Sequence, residues 1–285
     1  MKYSFVVALY NAENYIEECL KSMLAQTFQD FEIIIVNDGS KDNSKQIVEK
    51  YADGKKVKLI NQLNSGCGGA RNTAIKAATG EYIVIVDADD LVRPELLENL
   101  NKSNSDIIKY RVKCIEEDTN DRFELPLFEN LSSTEALLEF CKSENIWATP
   151  WGSAIKRNLF IENEFFFESR RYHEDFGLMP RLYLKANNVS SISYLGYYYI
   201  KRPNSMTTIT DRSVAVDRAR DFMFHFINNH EYIKKKSNLS KIEKDIIIRY
   251  FTERFLIKLI NFDIETQKFI MGDRNETFNG QYKTR

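Results

Sequence analysis

The sequence predicts an α/β protein: a Rossmann-like, mostly parallel central sheet flanked by helices, with a helical extension at the C-terminal end. Three observations predict it. Through about the first hundred residues, short runs rich in Val, Ile and Phe alternate with amphipathic stretches, the pattern of strand and helix in turn. Those runs show little apolar/polar alternation, as expected of parallel strands covered on both faces. Polar residues collect where the runs end, which is where open α/β sheets bind ligands.

Strands are expected at 5–9, 31–36, 57–60 and 82–86. Between the first two, Ile16, Cys19, Leu20, Met23 and Leu24 repeat at helical spacing while Glu13, Glu17, Glu18 and Lys21 face water. A second helix near 45–52 stops before Gly54 and a third near 70–78 stops before Gly80, both glycines suiting the left-handed position after a helix. Pro94 is expected as a first helical residue. Beyond it the pattern mixes strands at 106–115, 123–125, 151–155 and 165–167 with helices. One helix opens on the capping box of Ser132 and Glu135, one spans 158–163, and one begins at His173-Glu174-Asp175. Residues 213–269 read as helical, with Phe222, Phe226, Ile246, Ile247, Tyr250 and Phe251 supplying apolar faces, and 272–285 as a polar, frayed tail.

Composition removes several function classes. The chain has 285 residues, with 40 Lys or Arg against 41 Asp or Glu, a net charge of −1. Near-neutrality argues against a nucleic-acid binder, which works by neutralising phosphates. No apolar run approaches the roughly 20 residues that span a bilayer, and no signal-peptide pattern opens the chain. A cytoplasmic protein is expected, with peripheral contact at the inner face of the cell membrane as the alternative. Cys19, Cys67, Cys114 and Cys141 are scattered, so neither a zinc knuckle nor a disulfide frame is indicated.

The strongest chemical signal is Asp87-Ala88-Asp89-Asp90 at the end of an otherwise apolar strand. Carboxylates so close repel one another unless a cation or sugar hydroxyls share the site. Hard oxygen ligands favour Mg2+ or Mn2+, and few protein carboxylates leave coordination positions for a substrate diphosphate. The alternative is an acidic turn capping the next helix. Three further loops lie at neighbouring strand ends: Tyr10-Asn11, Asn37-Asp38-Gly39-Ser40, and Gly66-Cys67-Gly68-Gly69-Ala70-Arg71-Asn72.

In the segments ALYNAENYIEECLKSMLAQTFQDFEIIIVNDGSKDNS, NSGCGGARNTAIKAATGEYIVIVDADD and YHEDFGLMPRLYL the chain resembles glycosyltransferase family 2 of the GT-A fold. The resemblance covers roughly the first two hundred residues. It implies a catalytic domain over 1–211, with a nucleotide-binding half to about 100 and an acceptor-binding half beyond, then a helical extension over 212–271. It assigns Ala8, Tyr10, Glu13, Asp38, Gly66, Arg71, Asp87 and Ala88 to the donor nucleotide. Asp38 would accept the N3–H of uracil, Tyr10 stack on the base, Arg71 reach nucleotide or phosphate, and Asp87 bind ribose hydroxyls. Asp89 would hold the metal that bridges the diphosphate. Glu174 and Asp175 match the family's Glu-Asp pair, whose aspartate is the base for the acceptor hydroxyl. Asp90, Trp151, Arg202 and Ser205 fall to the acceptor side or to a lid over the diphosphate.

Each residue also has a plainer role: a turn aspartate at Asp38, a strand-end aromatic at Tyr10, a helix-start ion pair at Arg71, a capping pair at Glu174-Asp175. Two departures from the family pattern concern the acceptor side. A lysine common two residues after the tryptophan is Ser153 here, and an arginine common after the tyrosines is Ile200. The expected activity is inverting transfer of a hexose or N-acetylhexosamine from a UDP-sugar to a hydroxyl of a glycan acceptor, lipid- or protein-linked, in bacterial surface-glycan or glycoprotein-glycan synthesis. No QxxRW motif is present, which argues against a processive synthase. Rival readings are a non-catalytic nucleotide-sugar-binding partner of another transferase, and a sugar-nucleotide pyrophosphorylase. The latter wants a glycine-rich basic loop after the first strand, which residues 8–13 do not supply. The basic, aromatic C-terminal helices are expected to pack on the catalytic domain or on a second copy, or else to touch an anionic membrane surface.

Overall fold

The computed structural model describes residues 1–115, 122–123, 125–142, 149–202 and 212–260. The first part of the chain runs β1 (Tyr3–Leu9), α1 (Ile16–Leu24), β2 (Phe31–Asn37), α2 (Ser44–Glu49), β3 (Val57–Asn61), α3 (Gly66–Ala77) and β4 (Tyr82–Ile85). The second half continues with β5 (Leu91–Val92), α4 (Leu96–Leu100), β6 (Ile107–Ile115), β7 (Arg122–Phe123), β8 (Leu131–Ser132) and α5 (Ser133–Lys142). There follow β9 (Ser153–Lys156), α6 (Arg157–Ile161), α7 (Glu174–Tyr183), β10 (Asn188–Ile200), α8 (Arg212–Lys235) and α9 (Lys241–Ile260).

All the strands join one sheet in the order β3-β2-β1-β4-β9-β6-β10-β5, with β7 on β6 and β8 on β10. β3, β2, β1 and β4 are mutually parallel. β9 enters antiparallel between β4 and β6, and β10 runs parallel to β6. The ends of β4 and β10 and the start of β9 therefore share one edge with the ends of β1 and β2.

Both faces are buried, as continuous apolar strands require. Along β1, Val6 faces one core and Phe5, Val7 and Leu9 the other; along β2, Ile34 and Val36 alternate with Ile33 and Ile35 in the same way. The first core also holds Phe222, Ile233, Ile247, Tyr250 and Phe251 among its buried residues. With Phe222, Ile233, Ile247, Tyr250 and Phe251 in one cluster with Met179 and Leu182 of α7, the apolar faces of α8 and α9 pack on the catalytic fold itself.

Local signals account for most boundaries and fail at a few. The capping box forms: Ser132 N donates to Glu135 Oε2 at 3.0 Å and Glu135 N to Ser132 Oγ at 3.3 Å. α3 begins at Gly66, four residues before the expected start, so the glycines form its first turn rather than a loop before it. Gly80 does not take a left-handed conformation. It is needed for close approach, since a Cβ there would sit 2.6 Å from both Ser4 Oγ and the Tyr3 carbonyl carbon. Pro94 lies in a turn before α4, and 165–167 is irregular rather than a strand, its apolar side chains packing without a ladder partner.

Candidate active site at the carboxyl edge of the sheet

The β1–α1 and β2–α2 loops are tied together. Asn11, in a left-handed conformation at φ 48°, accepts from Lys41 N through Oδ1 at 2.8 Å. Glu13 Oε2 accepts from Asn43 N at 2.9 Å and Asn43 Nδ2 at 2.7 Å, so this carboxylate braces the loops. Tyr10, beside it, is 47% exposed and presents an open ring at the end of β1, next to half-buried Ala8. Asp38 is buried. Its Oδ1 accepts from Gln62 Nε2 at 2.7 Å and from Ser65 N at 2.9 Å, while Oδ2 accepts no hydrogen bond among the described residues. Gln62 and Ser65 also line a cavity of about 350 Å³ with Gly69, Asn72 and Thr73. Asp38 thus both fixes the start of α3 and keeps one acceptor oxygen in hand.

The glycines after Ser65 make their close approach to chain rather than to open space. A Cβ on Gly66, itself at φ +80°, would lie 3.0 Å from Arg170 N, and one on Gly68 would lie 2.5 Å from the Glu168 carbonyl oxygen. Residues 168–170 are thereby pressed against the helix that carries Arg71. Asn72 completes the seam: its Nδ2 donates to Phe167 O at 2.7 Å and its Oδ1 accepts from Phe167 N at 2.9 Å.

Arg71 is the hinge of the electrostatics. It is buried, with Nη2 on Asp87 Oδ1 at 2.7 Å and Nη1 on Glu174 Oε1 at 2.6 Å. One guanidinium therefore joins the carboxylate at the end of β4 to the first residue of α7, across 103 positions of sequence. This planar double pairing is a geometry a lysine would not reproduce. Burial pushes the Glu174 carboxyl up to about 7 against the pull of Arg71, with Asp175 adding to the rise. Burial also raises Asp175, outweighing the hydrogen bond it accepts from Phe176 N through Oδ1 at 2.7 Å. The positive end of α7 would lower a carboxyl's proton affinity, and burial wins. Asp175 Oδ2 accepts no hydrogen bond among the described residues, and the residue is only partly buried. Beside the pair, His173 packs edge-on against Phe222 at 5.2 Å.

The Asp cluster divides by exposure. Asp89 keeps 37% of its side-chain surface open, and burial with the charge of Asp87 raises its carboxyl. Arg202 reaches over it: Nη2 donates to Asp89 O at 2.7 Å, Nε lies 3.7 Å from Asp89 Oδ2, and the guanidinium sits 3.6 Å over the Tyr15 ring. Asp90 is 1% exposed and turned inward. It accepts from Tyr197 Oη at 2.7 Å and Ile200 N at 2.8 Å, so it anchors β10, and burial followed by Asp87 and Asp89 pushes it up to about 8. Tyr197 Oη in turn accepts from Asp87 N at 3.1 Å. Trp151 lies between the rings of Tyr197 and Tyr199, at 5.7 and 5.3 Å and within 11° of parallel, forming an aromatic wall beside the carboxylates. Ala88 is buried between the two aspartates. Ser205 falls outside the described residues.

Three contributors escaped sequence reasoning. Gln62 and Tyr197 act through hydrogen bonds to Asp38, Asp87 and Asp90, which no spacing announces. Lys109 left a signal, a lysine amid the apolar β6. It is buried with its Nζ donating to Ser153 Oγ at 2.9 Å, its register partner across β9, and burial lowers its ammonium to about 7. The neighbouring strand thus sets a lysine amine beside Ser153.

The family profile described as Glycosyl transferase family 2 matches residues 4–166, more than half the chain. The chain belongs to glycosyl transferase family 2. It is similar to the uncharacterised glycosyltransferase EpsJ of Bacillus subtilis, 35% identical over 217 residues, covering 72% of this chain and 63% of EpsJ. Glycosyltransferase GlyG of Streptococcus pneumoniae is also 35% identical, over 232 residues, covering 75% of this chain and 76% of GlyG. The family resemblance extends to tertiary structure. Staphylococcus aureus TarS 1–349, crystallised with UDP-GlcNAc, superposes with a TM-score of 0.74 at 26% identity, over 97% of this chain and 77% of that one. The expected GT-A fold is therefore the observed fold, and α8 and α9 lie within the stretch of similarity. The chain spans 63% of EpsJ's length, so activity, substrates and partners are matters for proposal.

Proposed function

We propose that this chain transfers a hexose or N-acetylhexosamine from a UDP-sugar to a hydroxyl of a bacterial surface glycan, with inversion at the anomeric carbon. The observation that carries the reading is the Arg71 bridge. It couples Asp87, on the donor side of the sheet edge, to Glu174 and hence to Asp175, on the acceptor side. The similarity to a structure holding UDP-GlcNAc supports the donor class.

The chain's own residues divide the work. Asp38 Oδ2 offers an acceptor for the N3–H of uracil beside the Gln62–Ser65 cavity, and Tyr10 offers a ring face for the base. Asp87, steadied by Arg71 and Tyr197, faces the ribose. The acceptor hydroxyl gives its proton to Asp175 as its oxygen bonds the anomeric carbon; the bond from that carbon to the diphosphate oxygen breaks, and the electron pair leaves with UDP. Attack opposite the leaving group inverts the centre. Arg202 supplies a cation over Asp89 for the departing phosphates. Trp151 with its flanking tyrosines gives an apolar face against which an acceptor sugar ring stacks.

A divalent cation fits at Asp89. The donor set is one half-buried carboxylate whose proton affinity burial, followed by the charge of Asp87, already raises, which suits a hard cation completed by diphosphate and water. Among the described residues no three His, Cys, Asp or Glu side chains converge as a metal cage. When bound, Mn2+ or Mg2+ would neutralise the diphosphate and stabilise charge on the leaving group.

A thermal-shift panel of nucleotide sugars with and without Mn2+ tests both parts. UDP-sugars are expected to stabilise the protein above GDP- or ADP-sugars, more with Mn2+, and Asp89→Ala to remove the Mn2+ increment alone. Stabilisation indifferent to the base would refute the donor class; an increment intact in Asp89→Ala would refute the metal assignment.

A further inference from the structure

The segment that delivers Glu174 and Asp175 is not shaped by its own sequence. Two of its non-glycine residues, Arg170 at φ 57° and His173 at φ 58°, are left-handed, a conformation side-chain-bearing residues adopt only when the surroundings compel it. His173 is the residue from which α7 departs, and no side chain caps the helix there. Arg170 is held from the start of α3, its N donating to Ser65 O at 3.1 Å, whereas the contacts on 171–177 come from α8, in the C-terminal extension. Asp221 is 7% exposed and spends both oxygens on the segment: Oδ1 on Arg171 Nη1 at 2.7 Å, Oδ2 on the Tyr172 amide at 3.0 Å. The Arg171 guanidinium is also held 3.8 Å over the Phe224 ring. One turn further along α8, the His225 ring abuts Gly177, where a Cβ would collide with it. Asn229 Nδ2 donates to Phe176 O at 2.7 Å. Phe222 stacks on Phe176 at 4.6 Å. Successive turns of α8 thus grip 171–177 on either side of the Glu-Asp pair.

We propose that Asp221 is a positioning residue for sugar transfer: by fixing Arg171 and the Tyr172 amide, it holds the left-handed turn that aims Asp175 at the acceptor hydroxyl. The proposal rests on Asp175 being the base. Asp221 touches no substrate and acts only through the segment, so its loss should slow turnover while leaving donor binding, built from β1, β2 and β4, in place. A displacement of about 1 Å at a base can cost on the order of 100-fold in rate.

The test uses the full chain and the UDP-sugar giving the fastest UDP release with water as acceptor. Rates and UDP affinity are measured for Asp221→Ala, Asp221→Asn, Asp175→Asn and the Asp175→Asn/Asp221→Ala double variant. Asp221→Ala is expected to lower kcat roughly 10- to 100-fold with the UDP Kd unchanged. Asp221→Asn, whose amide oxygen still accepts from Tyr172, is expected to recover part of that loss and covers the case in which the alanine variant fails to fold. In the Asp175→Asn background, Asp221→Ala should cost little more, because the group it aims is gone. Wild-type kcat in Asp221→Ala, parallel losses of kcat and UDP affinity, or losses that multiply in the double variant would overturn the positioning role. Near-normal turnover in Asp175→Asn would instead overturn the base assignment, and this proposal with it.

Discussion

Two ionisable side chains at the site are held far from their solution behaviour, and each gives a pH-dependent expectation. Burial lifts Glu174 from 4.5 to about 7. Its folded form therefore binds a proton that the unfolded form has lost, and stability falls as pH rises from about 4.5 to 7. Catalysis asks for the opposite, because Arg71 is best engaged by ionised Glu174. Turnover should fall below pH 7, by about tenfold per unit once the group is mostly protonated. Melting curves across pH 4.5–7.5 should show that Glu174→Gln flattens the stability slope, and a kcat profile should show the acid limb changed in the same variant. Lys109 has the reverse sign. Its ammonium is lowered from 10.5 to about 7, so the unfolded chain binds the extra proton and stability rises with pH across that window. Lys109→Met, which leaves no buried amine to charge, should raise the melting temperature more at pH 6 than at pH 9. An equal shift at both would remove burial as the cause.

α3 shows how an element can be legible in outline and misread in purpose. Its apolar spacing and its small residues announce a helix, and the Gly66–Gly69 stretch reads as a ligand-facing loop. In the fold those glycines are the first helical turn, pressed on 168–170, because the segment leading to α7 must come close enough for Arg71 to reach Glu174. Gly68→Ala places a methyl group 2.5 Å from the Glu168 carbonyl oxygen, a backbone atom that cannot swing aside. The expected cost is about 1–3 kcal/mol of stability. Denaturant melts would measure it, with a larger fractional loss of turnover than of UDP binding, since the seam joins the two halves. Wild-type stability in that variant would mean that the seam is looser than its geometry states. β9 was legible in the same partial way: the 151–155 run announces a strand, but only tertiary pairing reveals that it runs antiparallel and brings Ser153 opposite Lys109.

The molecule as a whole closes through its C-terminal helices. Ile233, Ile247 and Phe251 are 0%, 0% and 1% exposed and share a core with α7. Removing residues 212–285 should therefore expose a broad apolar face beside the Glu-Asp pair. The truncated chain is expected to aggregate or to lose its cooperative melt, with sugar transfer abolished; soluble yield and a thermal scan would check this. A soluble, active truncation would make the extension an accessory.

The amino-acid sequence alone determined the α/β alternation, the polar strand ends, the acidic run at 87–90 and the pair at 174–175, because these depend on neighbours a few positions apart. It could not determine that Arg71 would bind two carboxylates rather than phosphate, that Asp90 would turn inward to anchor β10, or that Asp221 would grip the turn before α7. Those partners lie 16 to 110 residues apart. Their geometry exists only once the sheet has set its strand order and the helices have closed over it.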